Sequence, residues 1–260
     1  MNTRKWIATL ILAVFGLFLL AGCSKKESTE EAKPAEAPKA AAAPIDPATV
    51  GSISGVVKYD GAAPKAAKID MSQDPACKGT NTVETLVVDN GNLANTFVYV
   101  KDGLGDRTFD PPKEDVKLDQ SGCQYHPHVL GIMAGQELQV VNDDATTHNV
   151  HPTPKDNQEW NESQPPKAPP IEKAFARPEI MLPVKCNQHP WMKMYINVVS
   201  NPFYAVTGPD GKYELKGLPP GDYTIAAVQE KLGEQTQKVT VGPKEAKTAD
   251  FTFKAGGAGD

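Results

Sequence analysis

The chain has little cysteine, four residues in 260, which excludes a disulfide-built scaffold, where cysteines are dense. It is also short of positive charge, with 27 Lys and Arg against 32 Asp and Glu and a formal charge of −5. General nucleic-acid binding wants a basic face, and this balance argues against one. No segment carries a sustained helical period, a phosphate loop, a nucleophile elbow or paired-cysteine zinc spacing. The frameworks that those motifs announce are therefore excluded. What is left is a length that buries a real core, in one large or two small domains.

The apolar run Trp6–Leu20 follows Arg4 and Lys5. Its fifteen residues fall short of the roughly 20 that a membrane-spanning helix needs and fit the apolar region of an export signal. The run ends in Leu20-Ala21-Gly22-Cys23, which resembles the bacterial lipobox. The resemblance implies removal of residues 1–22, lipid on the sulfur of Cys23 and a chain tethered to a membrane in the periplasm. Ser24, where an Asp would retain the protein at the inner membrane, favours the outer one. Losing Arg4 and Lys5 leaves 25 positive against 32 negative side chains, a charge of −7. Residues 23–50 are rich in Ala, Pro, Lys and Glu, have no apolar period, and read as a flexible linker.

From Gly51 onward short alternating runs such as Ile53–Tyr59, Leu93–Lys101, Met194–Val199 and Tyr223–Val228 are separated by turn signals such as Asp89-Asn90-Gly91 and Pro209-Asp210-Gly211. That is the pattern of an all-β protein of sandwiches. The stretch Asp210-Gly211-Lys212-Tyr213, followed by Leu218-Pro219-Pro220-Gly221-Asp222-Tyr223, resembles the carboxypeptidase-regulatory-like (prealbumin-like) β-sandwich, over roughly 203–255. The domains expected are therefore 51–200 and 201–256. Ile53-Ser54-Gly55-Val56-Val57 with Asp60-Gly61 looks like that family's opening strand, so the strand at 51–60 is open to either domain.

Cys186-Asn187-Gln188-His189-Pro190-Trp191-Met192 puts a thiol, an imidazole and a thioether in one short loop, and His148-Asn149-Val150-His151 lies about forty residues upstream. One His at a strand end, with Cys, His and Met in a later loop, is the layout of a mononuclear blue-copper site. Two imidazoles and a thiolate suit both Cu(I) and Cu(II), and a weak axial thioether raises the potential. Here the chain resembles the cupredoxins, amicyanin in particular, which have Cys-x-x-His-Pro-Phe-Met in the ligand loop; Trp191 stands where the Phe would be. The resemblance covers about 80–199 and implies a Greek-key sandwich with one type 1 copper. Its ligands by position are His148, Cys186, His189 and Met192. Met194, two further on, is the alternative axial ligand. Asn149 corresponds to the residue that pins the Cys loop by hydrogen bonding, and His189 to the family's electron port, with Trp191 beside it for docking.

His151 is expected on the same strand face as His148, behind the ligands. His126 and His128 flank Pro127 and read as polar turn residues, with a separate surface metal site as the competing reading. Cys77 and Cys123 remain after Cys23 and Cys186 are assigned, and in an oxidising compartment the two most simply pair. Seven prolines crowd residues 152–178, a loop without strand pattern. The whole reads as a non-enzymatic electron carrier that docks weakly to a periplasmic cytochrome or a copper or quinoprotein enzyme. The competing readings are a copper-delivery lipoprotein and a cell-surface interaction module with a structural metal.

Overall fold

A computed structural model describes residues 44–256. The export segment 1–22, the lipidation residue Cys23 and most of the 23–50 linker lie outside the described residues. Among those described there are nineteen strands and no helix. In chain order they are β1 (Gly51–Asp60), β2 (Val88–Asp89), β3 (Asn92–Leu93), β4 (Phe97–Asp102), β5 (Val116–Ser121), β6 (Gln124–His126) and β7 (Val129–Met133). There follow β8 (Glu137–Asn142), β9 (His148–Pro152), β10 (Glu162–Gln164), β11 (Ile171–Ala174), β12 (Glu179–Lys185) and β13 (Lys193–Val199). The last are β14 (Tyr204–Val206), β15 (Lys212–Leu218), β16 (Gly221–Gln229), β17 (Gly233–Val241), β18 (Ala246–Thr248) and β19 (Phe251–Lys254).

They form four sheets. β10-β9-β12-β13-β7 and β11-β8-β5-β6 enclose one core, with Leu118, Ile132, Leu138, Leu182 and Ile196 fully buried. β15-β1-β3-β2, with β18 and β19 also on β1, and β14-β4-β16-β17 enclose a second, around Ile53, Leu93, Leu215, Ile225 and Phe251. Each such side chain contributes about 1.5–3 kcal/mol on burial.

A third cluster joins the two sandwiches: Phe97, Tyr99, Val129, Met133, Val199, Ala226 and Val228. Alternation along each strand explains it. β4 sends Val98 and Val100 into the second core, and Phe97 and Tyr99 the other way. β7 sends Leu130 and Ile132 into the first core, and Val129 and Met133 back to meet them. A sheet covered on both faces reads as a continuous apolar run, as Phe97-Val98-Tyr99-Val100 does. Between Val129 and Met133 a side chain has no room: a Cβ at Gly131 would come within 2.6 Å of the Tyr204 ring.

The division expected at residue 201 does not separate the sheets. β1 pairs with β15, β18 and β19, and β4 pairs with β14 and β16. The strands before residue 103 thus complete the sandwich formed by the strands after residue 201, and β5–β13 are inserted between them.

Candidate metal centre

β9 lies beside β12, with His151 opposite Lys185, and β12 turns into β13 at Lys185–Lys193. This brings the first residue of β9, His148, beside the loop between β12 and β13. That loop is closed by the Cys186 N–H donating to the Met192 carbonyl (3.2 Å) and the Met192 N–H to the His189 carbonyl (2.9 Å). His148, Cys186 and His189 are 0%, 2% and 4% exposed. Their donor atoms lie within 4.8 Å of one another. His148 Nδ1 is 2.9 Å from His189 Nδ1, which is 3.6 Å from Cys186 Sγ. Met192 is buried in the same loop. Met194 lies in β13, on the core side with Ile196 and Val198.

Asn149 faces the loop that carries Cys186. Its Oδ1 accepts the Asn187 N–H at 2.7 Å and lies 3.3 Å from Cys186 Sγ, and its N–H points at that sulfur from 3.5 Å. The His189 N–H adds another donor at 3.4 Å. The buried sulfur thus faces two backbone N–H donors.

Two carboxylates complete the site. Asp144 Oδ2 is 2.8 Å from His148 Nε2, and the aspartate accepts the Gly122 and Cys123 N–H groups at 2.7 Å each. Asp74 Oδ2 is 2.9 Å from His189 Nε2 and accepts the Thr146 hydroxyl at 2.8 Å, while its Oδ1 accepts the Ala76 N–H. The Ala76 N–H, then His189 and Thr146, hold the Asp74 carboxyl down at about 2. Burial lowers the pKa of His148 against the opposing pull of Asp144, which keeps its imidazole neutral, the form that binds metal. A disulfide joins Cys77 to Cys123, as elimination had suggested, and ties the segment bearing Asp74 to the backbone that holds Asp144. Sequence reasoning missed both aspartates. Asp144 is four residues before His148, and Asp74 three before the paired Cys77.

Four expectations are corrected. The His189 edge, expected as an open port, is covered: Nε2 meets Asp74 and the ring packs 5.1 Å from Trp191. Trp191 is half-buried and donates to the Cys123 carbonyl, so it leans on the disulfide rather than standing free for docking. His151 does not share a face with His148. The interval is three, an odd step along a strand, and its ring meets Glu159 and Asn187 instead. The proline-rich stretch is not patternless. Its β10 and β11 add edge strands to β9 and β8, where proline is tolerated. Asn161 beside β10 braces Asn149. His126 and His128 part company across a cis peptide bond to Pro127: His126 Nε2 meets the Ser121 carbonyl, and His128 Nε2 meets Glu230.

The chain is an all-β protein of packed sandwiches with a buried His-Cys-His cluster. Residues 194–254 match the carboxypeptidase regulatory-like domain. No curated protein matches the chain. Solved structures that resemble it include a copper-containing nitrite reductase from Thermus scotoductus SA-01, at 20% identity over 38% of this chain and TM-score 0.31. The match spans a quarter of that reductase (25%). A purple cupredoxin from Nitrosopumilus maritimus is 20% identical over 33% of this chain and all of its own (100%), with TM-score 0.29. A Cu(I) amicyanin variant is 18% identical over 39% of this chain and 98% of its own, with TM-score 0.30.

Proposed function

We propose that this chain is an exported, lipid-anchored protein with one type 1 copper, carrying single electrons between periplasmic redox partners. The convergence of two imidazole Nδ1 atoms on the buried Cys186 sulfur supports this reading above all. The donor set fits copper, because two imidazoles and a thiolate accommodate both oxidation states. His148, Cys186 and His189 would hold the ion, with Met192 as the axial thioether. Bound copper would supply a one-electron couple. The protein's part is to turn the imidazoles inward, to hold the sulfur with N–H donors, and to exclude water. Burial of all four groups limits what must move on electron transfer.

Adding Cu(II) to the chain without residues 1–23 tests the reading by visible and paramagnetic-resonance spectra. An intense thiolate-to-copper band that bleaches and returns on redox cycling is expected, and Cys186→Ala abolishes it. A colourless, non-cycling protein overturns the reading. Copper bound without the band and readily released identifies a delivery protein instead. The anchoring reading rests on Leu20–Cys23; mass spectrometry of the membrane fraction is expected to find lipid on Cys23, and an unmodified Cys23 overturns it. At a charge of −7 for the mature chain, docking to a basic partner weakens as salt rises.

A further inference from the structure

His189 is the ligand whose imidazole edge is the expected exchange route, yet it is buried and its Nε2 meets a carboxylate. That carboxylate comes from Asp74, 115 residues away in sequence. It is aimed by the Ala76 N–H on one oxygen and the Thr146 hydroxyl on the other. The disulfide from Cys77 anchors its segment to Cys123. The imidazole can carry its proton on only one nitrogen when neutral. An Nε2–H donating to Asp74 leaves Nδ1 with a free lone pair, facing His148 Nδ1 and Cys186 Sγ.

Resting on the copper reading above, we infer that Asp74 is a positioning residue for the metal centre: it fixes the metal-binding tautomer of His189, makes that ligand more electron-rich and closes its outer edge. A carboxylate behind a metal-bound imidazole raises ligand basicity. This stabilises the more highly charged ion, Cu(II), over Cu(I), and so lowers the reduction potential. The arrangement also moves the point of electron entry away from the His189 edge.

The test uses the copper-loaded chain. Asp74→Asn keeps a hydrogen-bond acceptor near Nε2 and removes the charge. Its Cu(II) affinity is expected to fall about 10–100-fold relative to Cu(I), and the potential to rise by about 59 mV for each tenfold change in that ratio. Thr146→Val, which loosens Asp74 without discharging it, and Asp70→Asn, which removes a nearby charge not bonded to His189, are expected to stay within about threefold of the parent. An unmoved potential in Asp74→Asn, or an equal shift in Asp70→Asn, overturns the inference.

Should Asp74→Asn fail to fold, histidine-selective nitrogen NMR of the parent Cu(I) protein decides. A proton on His189 Nε2, slow to exchange with water, is expected; a rapidly exchanging one overturns the inference. Failure of the copper reading is a separate result, a parent protein without the blue band. A blue parent with an indifferent Asp74→Asn sinks this inference alone.

Discussion

Met192 and Met194 are both fully buried, so exposure does not choose between them. Backbone position does. Met192 lies inside the hydrogen-bonded loop that carries Cys186 and His189, whereas Met194 is committed to β13, beside Val184 of β12, in the core. Met192→Gln should therefore move the visible band and the potential. Met194→Leu should leave both in place and cost less than about 1.5 kcal/mol of stability, as near-isosteric core swaps do. Spectra and denaturant unfolding of the two variants check this. The opposite pattern would make Met194 the axial residue.

The segment between β1 and β2 holds no long strand of its own, only an isolated bridge from Lys68 to Thr82. Its order comes from side-chain bonds such as Asn81 to the Gly122 carbonyl, and from the disulfide across a separation of 46 residues. Closing a loop of that length stabilises by about 4 kcal/mol in the chain-entropy treatment. The double variant Cys77→Ala/Cys123→Ala should lose stability of that order in thermal or denaturant unfolding. It should also bind copper more weakly, because Asp74 loses its anchor. Undiminished copper affinity in a folded double variant would separate the disulfide from the site. Similar bracing acts in the proline-rich stretch. Gln164 of β10 is buried and donates to the carbonyls of Val140 and Pro169.

Across the whole molecule the insertion of one sandwich into the other makes their folding interdependent. A fragment ending at residue 200 keeps the ligands yet strips β1 and β4 of their partners β14, β15, β16, β18 and β19. It also uncovers Phe97 and Tyr99. Such a fragment is expected to lose the cooperative thermal transition of the full chain, and a sharp transition would show the metal half to be autonomous. One ionic contact links β7's approach to the β16–β17 turn: His128 Nε2 is 2.7 Å from Glu230, and both side chains are 8% exposed. Burial alone would lower the His128 pKa, but Glu230, helped by Glu84, outweighs it and the value is raised above 6.5. The stabilisation is fully present below the unfolded value and lost as pH rises through the folded one. Thermal stability should therefore fall as pH climbs above 6.5, and Glu230→Gln should flatten that slope; an unchanged slope would remove the pair from the account.

The sequence by itself determined what depends on near neighbours. Strand alternation marked an all-β chain. The spacing from Cys186 to Met192 placed the donors within one turn of backbone, and His148-Asn149 at a strand end supplied the rest. The pairing of Cys77 with Cys123 followed from having no other cysteines unassigned. Only the tertiary structure decided which strands pair, because period-two patterning reports faces and not partners, and β1 finds β19 nearly 200 residues away. Burial of β4 on both faces, the edge strands within the proline-rich stretch, and the aspartate behind each imidazole belong to that same class. Asp74 shares no local pattern with His189. Only the disulfide and the packing of the segment before β2 bring its carboxylate to the ring, and there it changes what the ligand can do.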